Sequence, residues 1–366
     1  MFARSALTSG RYFDRARSPA ETIALIEPHF ARLGITRIAR QTGLDRIGIP
    51  CFAAIRPNSR SLSVTYGKGL DDGCARAAAI MEAVEFAIAE DPGASRCVAT
   101  GRALLEAGHA IFGCERLLPA GQSIDPDLEM IWAEGFDLLD RRPVFVPIDA
   151  LTLGNALPPL TAIARTTNGL ASGNTREEAI FQGLCELIER DALTLWSMQP
   201  AAIARASAVG ADSFGDEVVL RLVRQIEATG LEVRLFDLTT DLGVPVVHAV
   251  ISACTQDAQR TLFDQSGGTG CHPDAVRAAL RAITEAAQSR MTNIAGSRDD
   301  VWPGEYHQSL TSELAALEHA PEGQRPAPVG LVGPRSLHDL MAFLHARLAS
   351  CGIDDVVAVP LGGEEM

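Results

Sequence analysis

The chain carries one helical segment twice, and that repeat limits the folds open to it. Residues 69–86 read GLDDGCARAAAIMEAVEF and residues 173–190 read GNTREEAIFQGLCELIER. Laid on one another, Gly69 falls on Gly173, Ala75 on Ala179, Ile80 on Leu184, Val84 on Ile188, Glu82 on Glu186 and Glu85 on Glu189. Each copy is an amphipathic helix opening from a glycine loop, with Glu-x-x-Glu late in the helix. Residues three apart share a helix face, so each copy presents two carboxylates side by side. Two such copies packed about a local pseudo-dyad bring four together. The pattern predicts duplicated helices related by that dyad.

Four buried carboxylates need protons or cations. At an effective dielectric of about 20, two unit charges about 4 Å apart repel by roughly 4 kcal/mol. Hard oxygen ligands suit Mg2+, which bridges carboxylates to substrate phosphates and keeps some of its waters. A glycine turn entering a helix N-terminus offers N–H groups to phosphate oxygens, and Lys68 in Tyr66-Gly-Lys-Gly69 adds a point charge. The competing account is that Glu at i and i+3 is an ordinary solvated face. Two aligned pairs weigh against it.

At 366 residues and 47% hydrophobic content the chain buries a large core. The repeat argues against independent units, because half-sites must pack together. Net charge is −14 with no basic run, so nucleic-acid binding is not expected. Eight cysteines form neither C-x-x-C nor a spaced Cys/His pattern, which points to a cytoplasmic protein without disulfides or zinc. Cys185 points about 100° away from Glu186 on the helix and reads as packing. No run of 18 apolar residues marks a membrane span, and residues 1–17 lack a signal-peptide apolar region.

Helices and strands alternate without a strict βαβ period. Ser18-Pro-Ala-Glu21 is a capping box opening a helix that Gly34 stops. Residues 46–66 read as two strands around Arg56-Pro-Asn-Ser59, and 131–139 with 143–148 as a hairpin. Thr175-x-x-Glu178 is a second capping box, so Glu178 is either a cap or a nucleotide contact. Helix 217–230, strands 231–238 and 245–254, a Gly267–Gly270 loop and a helix from 274 to about 294 follow. A surface loop at 319–336, a helix at 336–351 and a short strand at 356–360 close the chain. On the third long helix Arg277, Arg281, Glu285 and Gln288 recur at helical spacing, with Arg290 half a turn on; arginine suits phosphate oxygens.

The stretch Thr167-Asn-Gly-Leu-Ala-Ser-Gly-Asn-Thr-Arg-Glu-Glu-Ala179, continuing as Cys185-Glu-Leu-Ile-Glu-Arg-Asp-Ala192, resembles the central signature of the YcaO family. Arg60–Gly69 with the Glu82/Glu85 helix and Arg281–Arg290 agree with it in order. The resemblance implies an α+β, YcaO-type fold of mixed sheets with packed helices, with residues 1–44 an N-terminal segment carrying one helix and 45–366 the catalytic domain. It implies ATP and Mg2+ as cofactors and phosphorylation of a peptide backbone amide oxygen, followed by replacement with a side-chain nucleophile (azoline) or sulfur (thioamide). It makes Glu82, Glu85, Glu186 and Glu189 the magnesium ligands and catalytic centre with Arg190, a phosphate contact. Lys68, Asn174, Glu178, Gln288 and Arg290 become nucleotide contacts, with Gln288 and Arg290 favoured over Arg277.

The chain departs from the family pattern. Ala78 and Phe86 stand where the first helix usually has Ser and Arg, and Thr65-Tyr66 stands for Ser-Gln. Each change removes a hydrogen-bonding group from the first half-site. The chain ends Val359-Pro-Leu-Gly-Gly-Glu-Glu-Met366 with no proline-rich tail and seemingly short of a final strand. Its opening blocks are most similar to members that act beside a TfuA partner and install thioamides. The expected partners are a peptide, a TfuA-like sulfur-delivery protein and a second copy of the chain. The alternative is a catalytically weak accessory or scaffold protein.

Overall fold

The computed structural model describes residues 12, 14–93, 96–154, 161–253, 261–302, 304–305, 308–318, 320, 325–333 and 335–362. They form three sheets. The first is antiparallel: Arg37–Arg40, Cys51–Ile55 and Val64–Lys68. The second, also antiparallel, runs Gln265–Cys271, Val246–Ala253, Leu231–Asp237, Ala208–Val209. The third centres on Glu129–Asp137, which pairs antiparallel with Arg96–Thr100, Pro143–Pro147 and Val357–Ala358; Ala110–Ile111 joins Pro143–Pro147 in parallel.

Three long helices sit against the first two sheets. The first glutamate helix, Asp72–Ala89, is capped by Asp71 and lies over the first sheet. Its Ala79 and Ala83 pack with Leu33, Ile35 and Ala54, so the segment before residue 44 shares that core. The second glutamate helix, Arg176–Ser197, is capped by Thr175 and buries Phe181, Leu184, Cys185 and Ile188 against Phe236 and Cys271 of the second sheet. The third helix, Ala275–Ala295, covers the opposite face of that sheet with Ala278, Ala279, Ala282, Ile283 and Ala286.

Glycine permits the close approach. A Cβ on Gly69 would stand 2.6 Å from Cys74 Cβ and 2.7 Å from Ala75 N; one on Gly173 would stand 2.5 Å from Glu178 Cβ and 2.7 Å from Ala179 N. The sequence register of the two copies is therefore a register of backbones. Gly270 repeats it with Arg281 Cβ at 2.6 Å and Ala282 N at 2.7 Å. This third instance is hidden in the sequence because its helix begins further from its glycine. Residues 267–270, read as a loop, belong to the edge strand; alternate glycines turn toward the third helix and let its backbone sit on the sheet.

Most other expected elements appear within a residue or two. The first helix breaks into Pro19–Ile26, a 3-10 turn at Glu27–His29 and Phe30–Leu33, because Pro28 interrupts the ladder before Gly34 ends it at φ +74°. Strands Arg37–Arg40, Arg96–Thr100 and Ala110–Ile111 were not read, being short and polar-flanked; neighbours create them. The short strand expected at 356–360 appears as Val357–Ala358, an edge strand on Glu129–Asp137. Residues 363–366, most of 1–13, Cys254 and part of the 319–336 loop lie outside the described residues. Among the described residues no helix is long and apolar enough to cross a membrane.

Candidate active site

The four glutamates converge where the outer edges of the first two sheets meet the three helices, and a backbone N–H tethers each of them. Tyr66 N–H donates to Glu82 Oε2 at 2.9 Å. Ser172 N–H and Oγ–H donate to Glu85 Oε1 at 2.8 and 2.6 Å. Gly169 N–H serves Glu186, and Cys271 N–H serves Glu189 Oε2 at 3.0 Å. Tyr66 and Cys271 lie on the edge strands Val64–Lys68 and Gln265–Cys271, and their N–H groups point out of their sheets. Each glutamate helix has one carboxylate held by a sheet edge and one by a loop, in opposite order: strands hold Glu82 and Glu189, loops hold Glu85 and Glu186.

Carboxylates so enclosed resist ionisation. Burial pushes Glu82 up to about 7 against the pull of Tyr66 N–H and Lys68. Burial, reinforced by Glu82 and Glu186, pushes Glu85 up to about 8 against Ser172. Burial raises Glu186, opposed by Arg190. Burial and then Glu285 push Glu189 up to about 7, opposed by Arg281 and Lys68. Burial above all, with repulsion from neighbouring carboxylates second, leaves the cluster holding protons that a cation would expel.

The third helix adds Glu285 and Arg281. Burial works against ionised Glu285, but its ion pair with Lys68 holds it below the ordinary range. Lys68 is therefore bridged to the third helix in this structure. Arg281 Nη1 donates to Gln182 Oε1 at 2.7 Å and faces Glu189 and Glu285. Arg190 reaches Glu186 one turn back at 3.6 Å and is half exposed.

The remaining expected contacts divide. Asn174 N–H and Nδ2 donate to Glu178 Oε2 at 2.7 and 3.3 Å, and Asn174 Oδ1 accepts from Thr22 Oγ1 at 3.0 Å. Thr175 caps the Glu178 N–H at 3.2 Å, while the buried Glu178 carboxylate takes the Asn174 and Ala16 N–H groups, so the box is not reciprocal. Gln288 is half-buried. Arg290 Nε lies 3.8 Å from Asp45 Oδ2, and each of these buried atoms is without a hydrogen-bond partner.

Two arginines escaped the sequence reading. Arg15 is half-buried beside Glu178, Arg281 and Glu85, carried in by a strap in which Asp14 accepts from His272 Nε2 at 2.8 Å and pairs with Arg277. The capping box at Ser18 was the available signal, since it fixes where the chain enters. Arg298, paired with Asp300, faces Glu82 and Tyr66, and the Tyr66 hydroxyl bonds Ser297 Oγ.

Among the described residues no three His, Cys, Asp or Glu side chains form a ready-made metal cage. Mg2+ does not need one, because it takes one or two carboxylates with phosphates and water. The proton-holding glutamates, with Lys68, Arg190 and Arg281 beside them, fit a divalent cation next to phosphate. A family model described as YcaO cyclodehydratase, ATP- and Mg2+-binding, matches residues 66–364.

The chain belongs to the YcaO family. ATP and Mg2+ are the cofactors this membership carries. YcaO from Methanopyrus kandleri, solved with AMPPCP and Mg2+, matches with TM-score 0.74 and 28% identity over 99% of this chain and 91% of that one. An uncharacterized protein in the tfuA 3′ region of Rhizobium leguminosarum bv. trifolii is 38% identical over 363 residues, 98% of this chain and 86% of that protein. A heterocyclase in complex with substrate and cofactor shares the fold, with TM-score 0.77 and 22% identity over 98% of this chain and 54% of that one.

Proposed function

We propose that this YcaO protein phosphorylates a peptide backbone amide oxygen with ATP, and that sulfur then displaces phosphate to leave a thioamide. The observation that carries the reading is the set of four backbone-tethered, burial-raised carboxylates between two sheet edges. Glu82, Glu85, Glu186 and Glu189 hold Mg2+, which when bound supplies electrostatic neutralisation of the phosphates. Arg190, Lys68 and Arg290 add positive charge, and Asn174, Glu178 and Gln288 line the nucleotide side.

The two helix departures are compatible with an active site. Phe86 replaces an arginine but packs against Ala89, Leu153, Leu62, Leu170 and Leu361. Gly67 lies against the helix backbone at Ala75, Ala78 and Ala79, so the helix keeps its seat on the first sheet with alanine at 78. The 38% identical relative from the tfuA 3′ region supports sulfur over a substrate side chain as the nucleophile, with a TfuA-like protein delivering it. A cytoplasmic homodimer is part of the proposal.

The test is mass spectrometry of a peptide library incubated with the protein, MgATP, sulfide and a TfuA-like protein. Exchange of one oxygen for sulfur is expected. Loss of one water would transfer the assignment to azoline formation, and an unmodified library beside nucleotide-competent protein would sink both.

A further inference from the structure

The second sheet ends at strand Gln265–Cys271, whose outer edge opens on the carboxylate cluster. His272 N–H donates inward to Pro245 O at 3.1 Å, and the register runs Val247↔Gly270 and Ala249↔Gly268. In an antiparallel ladder the hydrogen-bonding direction alternates, so residues 272, 270 and 268 face inward and 271, 269 and 267 outward. The first outward donor, Cys271 N–H, is the one Glu189 takes. The next two, Thr269 and Gly267, have no backbone hydrogen-bond partner on that side among the described residues. Thr269 is buried, where bare peptide groups are costly. Gly267 is exposed.

His248 stands over this edge. It is paired opposite Thr269, with Nδ1 2.9 Å from Thr269 Oγ1 and its ring 5.4 Å from that of Trp196. A Cβ on Gly267 would lie 3.0 Å from His248 Cε1 and 3.2 Å from Nε2, so the missing side chain leaves the imidazole a path to the edge. Burial holds the ring down to about 4, hence neutral near pH 7. Position along the second glutamate helix supplies the direction. Asn174 and Glu178 stand at its start, Glu186 and Glu189 mid-way, and Trp196 roughly 10 Å beyond Glu189. The group that receives phosphate lies on the far side of the metal ligands from the nucleotide end.

We infer that the acceptor peptide binds in extended form at the exposed Gly267 end of the outer edge of Gln265–Cys271, its backbone pairing with Gly267 beside the His248 ring. The inference rests on the amide-activating reading. An extended backbone matches alternating free N–H and C=O groups, and edge addition gives affinity without demanding a side-chain sequence.

The test is amide hydrogen exchange at Gly267 and Thr269 with a capped, uncharged alanine/glycine peptide at millimolar concentration, with and without MgAMPPCP. Exchange at Gly267 should slow about tenfold with peptide, with Thr269 the buried reference. Gly267→Val should abolish the effect while MgAMPPCP still binds, and His248→Phe, which keeps the ring against Trp196, should weaken it. Unchanged exchange, equal protection in Gly267→Val, or full protection by MgAMPPCP alone would overturn the inference. Failure of MgAMPPCP to bind would count against the amide-activating reading instead, because the peptide arm is read without nucleotide as well.

Discussion

Replacing Glu85 by glutamine removes a charge that the empty site disfavours while keeping an acceptor for Ser172. In the fold Glu85 titrates at about 8 against an ordinary 4.5, chiefly through burial. Each pH decade between those values is worth about 1.36 kcal/mol, so ionising Glu85 weakens the folded state by up to about 5 kcal/mol. Water in the cleft lowers this toward about 2–3 kcal/mol. The folded value lies above the unfolded one, so the stabilisation is full below about 4.5 and is lost as pH rises through about 8. Wild-type protein should therefore weaken between about pH 5 and 9. Glu85→Gln should lose less over that range and be the more stable of the two at the alkaline end. Urea denaturation in EDTA at both pH values measures the difference. A variant less stable than wild type at about pH 9, or a gap that does not change with pH, would refute the electrostatic account.

Binding of Mg2+ with AMPPCP near pH 7 should expel about one to two protons, since Glu85 titrates at about 8 and Glu82 and Glu189 at about 7. Calorimetry in two buffers of different ionisation enthalpy counts them, and the number should fall toward zero at about pH 9. Arg290→Ala should lower nucleotide affinity about tenfold or more, the worth of a charge-assisted hydrogen bond, and should also lower thermal stability, because it strips the buried Asp45 carboxylate of its cation. Gly173→Ala places a methyl 2.5 Å from Glu178 Cβ and should destabilise by about 1–3 kcal/mol, read by denaturant midpoint.

The sequence disclosed the parts of this protein that obey a period. The aligned Glu-x-x-Glu pairs and their glycines were legible because a helix repeats every 3.6 residues and a glycine under a helix leaves a fixed offset. Arg281 and Glu285 were legible as members of a helix face suited to phosphate; that Glu285 pairs with Lys68 was not, because it depends on the third helix crossing the strand that carries Lys68. Arg15 was invisible, because an arginine in an irregular strap has no pattern to announce it. The four N–H tethers were likewise hidden: which backbone groups face outward is set by strand pairing, and the strand at Gln265–Cys271 reads as a glycine loop until Val246–Ala253 is laid beside it.

The central claim is that the four glutamates make a working Mg2+-nucleotide site. Calorimetric titration of the protein with AMPPCP and Mg2+, beside a Glu186→Gln, Glu189→Gln double variant, tests it most directly. The account predicts about micromolar, Mg2+-dependent binding that the variant loses while remaining folded. Folded wild-type protein that binds no nucleotide, or a variant that binds as well as wild type, would contradict it.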